Sequence, residues 1–374
     1  MNNNALYFDN ASSTPVSPAV LAAMIPYLAE EYGNPASPHA MGREAEEAVE
    51  NAREQAACLI GTDPSHIIFF HSATEANRQI MEWGIPAIMA TPEEHSSVLR
   101  FSGTPRDGWD SRIVTAEPRE IEERVKDAGP GGYFGWMASV QLVNNETGAV
   151  NDVKHLAQIL HRAGALLHTD ATAAAGAMQI NAEELGCDFM TFSAHKMYGP
   201  KGAAALYVKN PDWADLVQYG GTANVPAIVG FGKACETARA LLERDGTDND
   251  YQSISYVFLA ELESILGTDS FAANVHEDRA WFKKIINLRF DGIDAETLVY
   301  LCSDRGLMIS AGAACESHEQ KPSHVLKAMG LSDEQARSSV RVSFSRYTTA
   351  KDAERGAEIL AECVKELRLA GGIA

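Results

Sequence analysis

The 374-residue sequence is short of positive charge, of paired cysteines and of long apolar runs, and each shortage removes a class of function. Against 51 Asp and Glu stand 31 Lys and Arg, so the formal net charge is −20, and no local basic patch offsets it. Such a field repels phosphate backbones and anionic lipid surfaces, so neither nucleic acid nor a membrane is an expected partner. Nowhere do the roughly 18 consecutive apolar residues of a spanning helix occur. The opening "MNNNALYFDN" has no cationic start leading into an apolar stretch. The expected location is therefore cytoplasmic. The six cysteines, at 58, 187, 235, 302, 315 and 363, include no CxxC pair, which fits neither a disulfide framework nor a zinc site. Internal repeats and low-complexity tracts are absent too.

What is present is the composition of a globular enzyme, long enough for two domains or for one large and one small. Helix-period segments such as "GREAEEAVENAREQAACLIG" and "VKHLAQILHRAG" alternate with apolar runs such as "HIIFF", "YFGWMASVQLV", "ALLHT" and "AAALYV". That alternation predicts a mostly parallel sheet covered by helices. The acidic stretch "LLERDGTDND" interrupts the pattern and marks passage into a second domain. Beyond it, "KKIINLRF", the helix-like "DAETLVYLCSDRG", the loop "MISAGAACESHEQKP", the strand-like "SSVRVSFS" and an amphipathic helix over about 350–368 read as a smaller α/β domain.

Ligands of such sheets bind where loops and helix N-termini meet the carboxyl ends of the strands. Here "HIIFF" is followed by "HSATEAN", "WMASVQLV" by "NNETG", "ALLHT" by Asp170, and "DFMTF" by "SAHK" with Lys196. An aspartate at one strand end and a lysine at another suit an aldehyde cofactor. The lysine forms a Schiff base and the aspartate keeps a pyridine nitrogen protonated, which is the pair of demands pyridoxal phosphate makes. The cofactor also needs an anion site, and "SATEAN", opening a helix, offers backbone N–H groups and the Thr74 hydroxyl. Taken singly, each residue has an ordinary explanation: a snorkelling lysine, a Ser/Thr helix cap, a satisfied core histidine at His95, a solvated arginine at Arg341.

Taken together, "YFDNASSTP", "YGNPASPHAMGREA", "ATEAN", "EHSSV", "VNNETG", "HTDAT", "SAHKMYGPKGAAALYV", "SAGAAC" and "SSVRVSFSRYTT" resemble the cysteine desulfurases of the class V group, pyridoxal-phosphate enzymes of fold type I. The resemblance runs in order from about residue 6 to 368. It implies a large cofactor domain over 15–247 with a mostly parallel seven-stranded sheet, and a smaller α/β domain from 1–14 and 248–374 carrying a catalytic cysteine loop. Lys196 is then the Schiff-base lysine, Asp170 the partner of the pyridine nitrogen, and His95 the residue that stacks on the ring and assists proton transfer. Ala73, Thr74, Ser193 and His195 hold the phosphate, with Thr222 reaching in from a second subunit of a homodimer. Asn145 contacts cofactor and substrate, and Arg341 grips the substrate carboxylate through its planar fork. Cys315, in its Gly/Ala-rich polar loop, is the nucleophile that takes sulfur from L-cysteine as a persulfide and leaves L-alanine. A downstream protein or thiol then receives the sulfur for iron–sulfur cluster or thio-cofactor synthesis.

Four departures from the family pattern keep a related cysteine or selenocysteine lyase, another C–S lyase, and a non-catalytic sulfur relay in view. Ala173 stands where the family places a glutamine that donates to the cofactor's phenolic oxygen. The segment "DLVQYGGTANVP" before and around Thr222 is shorter than the family's and lacks its arginines. His71 and Ser72 replace small residues at the phosphate turn, where a β-carbon restricts angles open to glycine. The sequence closes on "RLAGGIA" without the family's scaffold-docking extension, so a different acceptor protein or a small thiol is expected.

Overall fold

The computed structural model describes residues 5–82, 85, 87–100, 113–115, 118–128, 135–213, 221–245, 249–312 and 322–371. Cys315 and residues 214–220 therefore lie outside the described residues. The chain forms two compact units, one of Thr14–Val143 with Asn151–Thr247, the other of Met1–Ser13, Asn144–Val150 and Asp248–Ala374. The short excursion Asn144–Val150, which holds "NNETGAV", thus belongs with the smaller unit although both flanks belong to the larger. Periodicity alone gives no hint of that.

The larger unit is built on a seven-stranded sheet whose spatial order is Ile67–Phe70, Ala204–Val208, Phe189–Ser193, Leu166–Asp170, Trp136–Ser139, Ala87–Ala90, Ile113–Thr115. Ala204–Val208 runs antiparallel to both its neighbours, and the remaining pairings are parallel. Its central strands are short and apolar because both faces are covered: all five residues of Phe189–Ser193 and of Ala204–Val208 are buried. Ile68, Phe70, Ile80, Met137, Phe189 and Leu206 join in one core cluster. The helix Ala40–Ile60 starts on a His39 side-chain cap and stops at Gly61, which takes a left-handed φ of 65°. Its inner face presents Ala45, Ala48, Val49 and Ala52 to Val225 and Ile228 of the helix Val225–Asp245. Small side chains there let two helix backbones approach closely.

In the smaller unit, Ile285–Arg289 pairs antiparallel with both Ala272–Ala273 and Ser339–Ser343. Leu6–Tyr7 pairs parallel with Leu307–Met308, joining residues from opposite ends of the chain. Phe8, Phe258 and Phe344 pack edge to face with centroids 5.3–6.2 Å apart, the geometry that aromatic quadrupoles favour. The last helix, Ala350–Gly371, lays Gly356 directly against the Phe8 ring, and a β-carbon at that position would overlap Phe8 Cε2.

Gly356→Ala separates two opposed effects. Helix propensity alone predicts a gain of about 1 kcal/mol. Overlap with a ring that Phe258 and Phe344 hold in place predicts a loss of about 1–3 kcal/mol. The expected result is a lower thermal midpoint, read by circular dichroism; a raised midpoint would show that the ring yields.

Candidate active site

Asp170 ends the strand Leu166–Asp170, opposite Thr191 of the neighbouring strand in the parallel register. It is 8% exposed. Burial is the largest influence on its acidity and pushes the pKa up, but hydrogen bonds from Thr172 and Asn77 outweigh it, so the carboxyl titrates below its ordinary value. The Thr172 N–H donates to Oδ1 at 2.9 Å and Asn77 Nδ2 to Oδ2 at 2.9 Å.

The adjacent strand, Phe189–Ser193, runs straight into the one-turn helix Ala194–Lys196. Lys196 is held there by the backbone around it. Tyr198 adopts a left-handed φ of 67°, uncommon for a residue with a β-carbon, and its N–H donates to Thr14 Oγ1 at 2.7 Å. Thr14 in turn donates its own N–H and hydroxyl to the His195 carbonyl at 2.8 and 2.9 Å. From the Asp170 side, Gly176 at φ 72° lies so close to Met197 Cβ that an added β-carbon would come to 2.7 Å. The loops after the two strands are therefore packed together, and the aspartate and lysine are fixed relative to one another.

Ala73 and Thr74, His95, and Ser193 with His195 likewise lie at or just after the carboxyl ends of the strands Ile67–Phe70, Ala87–Ala90 and Phe189–Ser193. Ser72 caps the helix Ala73–Met81 by accepting from the Glu75 N–H at 3.1 Å, which leaves the first-turn amides of Ala73 and Thr74 outside the helical ladder. The constraint expected at Ser72 is not met: its φ of −156° is extended backbone open to any residue, and serine serves there as the cap. Ser193 Oγ is buried and finds no hydrogen-bond partner among the described residues. His195 is half-buried, and burial followed by the charges of Lys196 and Lys201 brings its pKa down to about 4. His95 caps the short helix Ser96–Leu99, with Nδ1 accepting from the Ser97 N–H at 3.1 Å. Ala173 is half-buried in the turn after Asp170 and brings no polar side chain to it. Thr222 is exposed and shares a cavity of about 550 Å³ with His71, Gly202, Arg53 and Ser65.

Asn145 and Arg341 lie in the smaller unit and are joined directly, Arg341 Nη1 donating to the Asn145 carbonyl at 3.0 Å. Arg341 is no solvated strand-end charge: it sits mid-strand in Ser339–Ser343, 3% exposed, with Nη2 on Asp9 Oδ1 at 2.8 Å and Ser12 Oγ at 2.6 Å. Its Nε is buried without a partner among the described residues.

Four residues escaped the motif reading. Asn77 lies one turn into the helix Ala73–Met81 and Ser97 two residues after His95, both within quoted motifs but with no signal of what they touch. Glu146 of "NNETG" accepts from Ser323 Oγ at 2.6 Å and sits beside Gly312, so one buried carboxylate meets the residues on both sides of 313–321. Glu94 accepts from Thr91 Oγ1 at 2.6 Å and from the Gln141 N–H at 2.9 Å. Burial above all, helped by Asp170 and Glu93, pushes its pKa up to about 8 despite those two bonds.

The sign of the Glu94 effect is set by linkage. The folded chain keeps a proton that the unfolded chain releases above 4.5, so stability falls as pH rises from there to about 8. The expected slope from this group is about −1.4 kcal/mol per pH unit. Glu94→Gln keeps the accepting oxygen and removes the titration. Its thermal midpoint should change less than that of the wild type between about pH 5.5 and 8. Parallel pH dependences for the two proteins would contradict the assignment.

Comparison with known proteins fits this geometry. The family model "Aminotransferase class-V" matches residues 6–98 and 136–355. Cysteine desulfurase IscS of Methylobacillus flagellatus is 33% identical over 385 residues, spanning 97% of this chain and 93% of that protein. Among solved structures, a NifS-like protein from Rickettsia africae superposes with a TM-score of 0.82 at 25% identity over 97% of this chain and all of that one. One titled "SspA in complex with cysteine" gives 0.72 at 27% identity, over 92% of this chain and all of the other. A family model covering most of the sequence and a near full-length relative agree: this chain belongs to the class-V aminotransferase family and, within it, to the cysteine desulfurases.

Proposed function

We propose that the protein is a pyridoxal-phosphate-dependent cysteine desulfurase that converts L-cysteine to L-alanine and passes the sulfur on. One observation carries the reading. A buried aspartate held as a carboxylate ends one strand, and the next strand ends in a rigid turn presenting Lys196.

The donor set fits the cofactor. Asp170, ionised while buried, suits a protonated pyridine nitrogen. Ser193 Oγ is a buried donor without a partner among the described residues, and with Thr74, the first-turn amide of Ala73 and His195 it would hold the phosphate. Lys196 would hold the aldehyde carbon and His95 would lie on the ring. Bound there, pyridoxal phosphate supplies an aldehyde that condenses with amines and a cationic ring that accepts the charge left when an α-proton departs.

The chain's own residues do the rest. Lys196 takes the proton from the substrate α-carbon and returns it at the end of the cycle. Arg341, with Asn145, orients the substrate carboxylate. Cys315 attacks the substrate sulfur as a thiolate, so that enzyme thiol plus cysteine becomes enzyme persulfide plus alanine. The protein works as a homodimer in which Thr222 approaches the partner's phosphate, and an acceptor protein or thiol in the cytoplasm collects the sulfur for iron–sulfur cluster or thio-cofactor assembly. No helix of the described residues is long and apolar enough to cross a membrane.

The test is the yield of alanine and sulfide from L-cysteine with a reducing thiol. Wild type should form both in equal amounts, Cys315→Ala neither, and Lys196→Ala should lose the near-visible absorption of the bound cofactor. Sulfide with pyruvate surviving in Cys315→Ala would identify a β-lyase instead.

A further inference from the structure

Asp170, Asn77, Ser97 and His95 form an unbroken hydrogen-bonded chain inside the larger unit, and the direction of each bond follows from its ends. An ionised carboxylate only accepts, so Asn77 must aim its amide nitrogen at Asp170, and Nδ2 lies 2.9 Å from Oδ2. The second hydrogen of that nitrogen goes to Ser97 Oγ, also at 2.9 Å. Ser97 Oγ lies 2.8 Å from His95 Nδ1, and because that nitrogen accepts from a backbone N–H the hydroxyl must be the donor to it. The Ser97 backbone N–H donates to the same ring nitrogen. His95 Nδ1 must therefore carry a lone pair, and the single proton of the neutral ring sits on Nε2. An ordinary helix cap explains the backbone bond alone. It does not explain a fully buried asparagine and a 3% exposed serine strung between the cap and a carboxylate.

We propose that Asn77 and Ser97 are positioning residues that transmit the orientation imposed by Asp170 to His95 and fix its ring as the Nε2–H tautomer. The inference rests on the reading of Asp170 and His95 as the residues flanking the cofactor and deepens it. With Nδ1 occupied by two donors, His95 faces the reaction as a hydrogen-bond donor and aromatic surface. Removal of the α-proton then falls to Lys196. The relay also supplies order on a ring-facing residue in a site where Ala173 provides no polar side chain.

The experiment uses the full chain with 15N-labelled histidine, with and without bound cofactor. Long-range 1H–15N correlations of His95, assigned by their loss in His95→Gln, report which ring nitrogen is protonated. Wild type should show a pyridine-like Nδ1 and a pyrrole-like Nε2. In Ser97→Ala the ratio of Nε2–H to Nδ1–H should fall about fivefold, the worth of one neutral hydrogen bond, moving the Nδ1 signal toward the pyrrole value. Ser97→Thr, which keeps the hydroxyl, should restore it. A wild-type ring protonated on Nδ1, or His95 signals unchanged in Ser97→Ala, would overturn the relay. The tautomer is read whether or not the wild type turns over cysteine, so failure of the relay and failure of the desulfurase reading are told apart.

Discussion

An ionised carboxylate buried at the end of a strand is costly unless several donors converge on it, and Asp170 sets the terms for everything around it. Thr172 donates from the turn that follows, and Asn77 from a helix packed beside the strand. Because the Asn77 amide nitrogen is committed to the carboxylate, its second bond is directional as well. Asn77 passes the order to Ser97 and thence to His95. A charge therefore fixes neutral groups that it does not touch, through bonds that each have one permitted sense.

Neighbouring titratable groups are pushed the other way, and the contrast follows from their surroundings. Glu94 has two donors, but burial above all, with Asp170 and Glu93 nearby, drives it up to about 8. His168 bridges Ser139 Oγ at 2.8 Å and Thr191 Oγ1 at 3.1 Å, tying three adjacent strands, and burial lowers it to about 4 although Asp170 pulls against that. At neutral pH the buried Asp170 is thus an ionised carboxylate, whereas the buried Glu94 and His168 are uncharged. Environments that separate the pKa values of nearby groups are what acid–base chemistry requires of a fold.

The lysine side of the site is held by geometry more than by charge. Lys196 occupies a single turn of helix between a fully buried strand and the left-handed Tyr198, while Thr14 and Gly176 close on that turn from two other segments. Strain at Tyr198 is tolerated because the surrounding bonds over-determine it. In the smaller unit, Arg341 is set by Asp9, Ser12 and the Asn145 carbonyl.

Much of the protein was legible in the order of its residues. Alternating helix-period and apolar segments point to a mostly parallel sheet, and Asp170, Lys196 and the "SATEAN" helix start can be picked out because strand ends are where such sheets do chemistry. Local patterns carry that information, since side-chain periodicity and capping act over a few residues. What the tertiary structure alone decided are pairings over long separations: Asn77 with Asp170, Arg341 with Asp9, Glu146 with Ser323, and the transfer of Asn144–Val150 to the smaller unit. The physical reason is that a hydrogen bond's partner and direction depend on where two segments meet in space, and nothing in either segment's own sequence records the other.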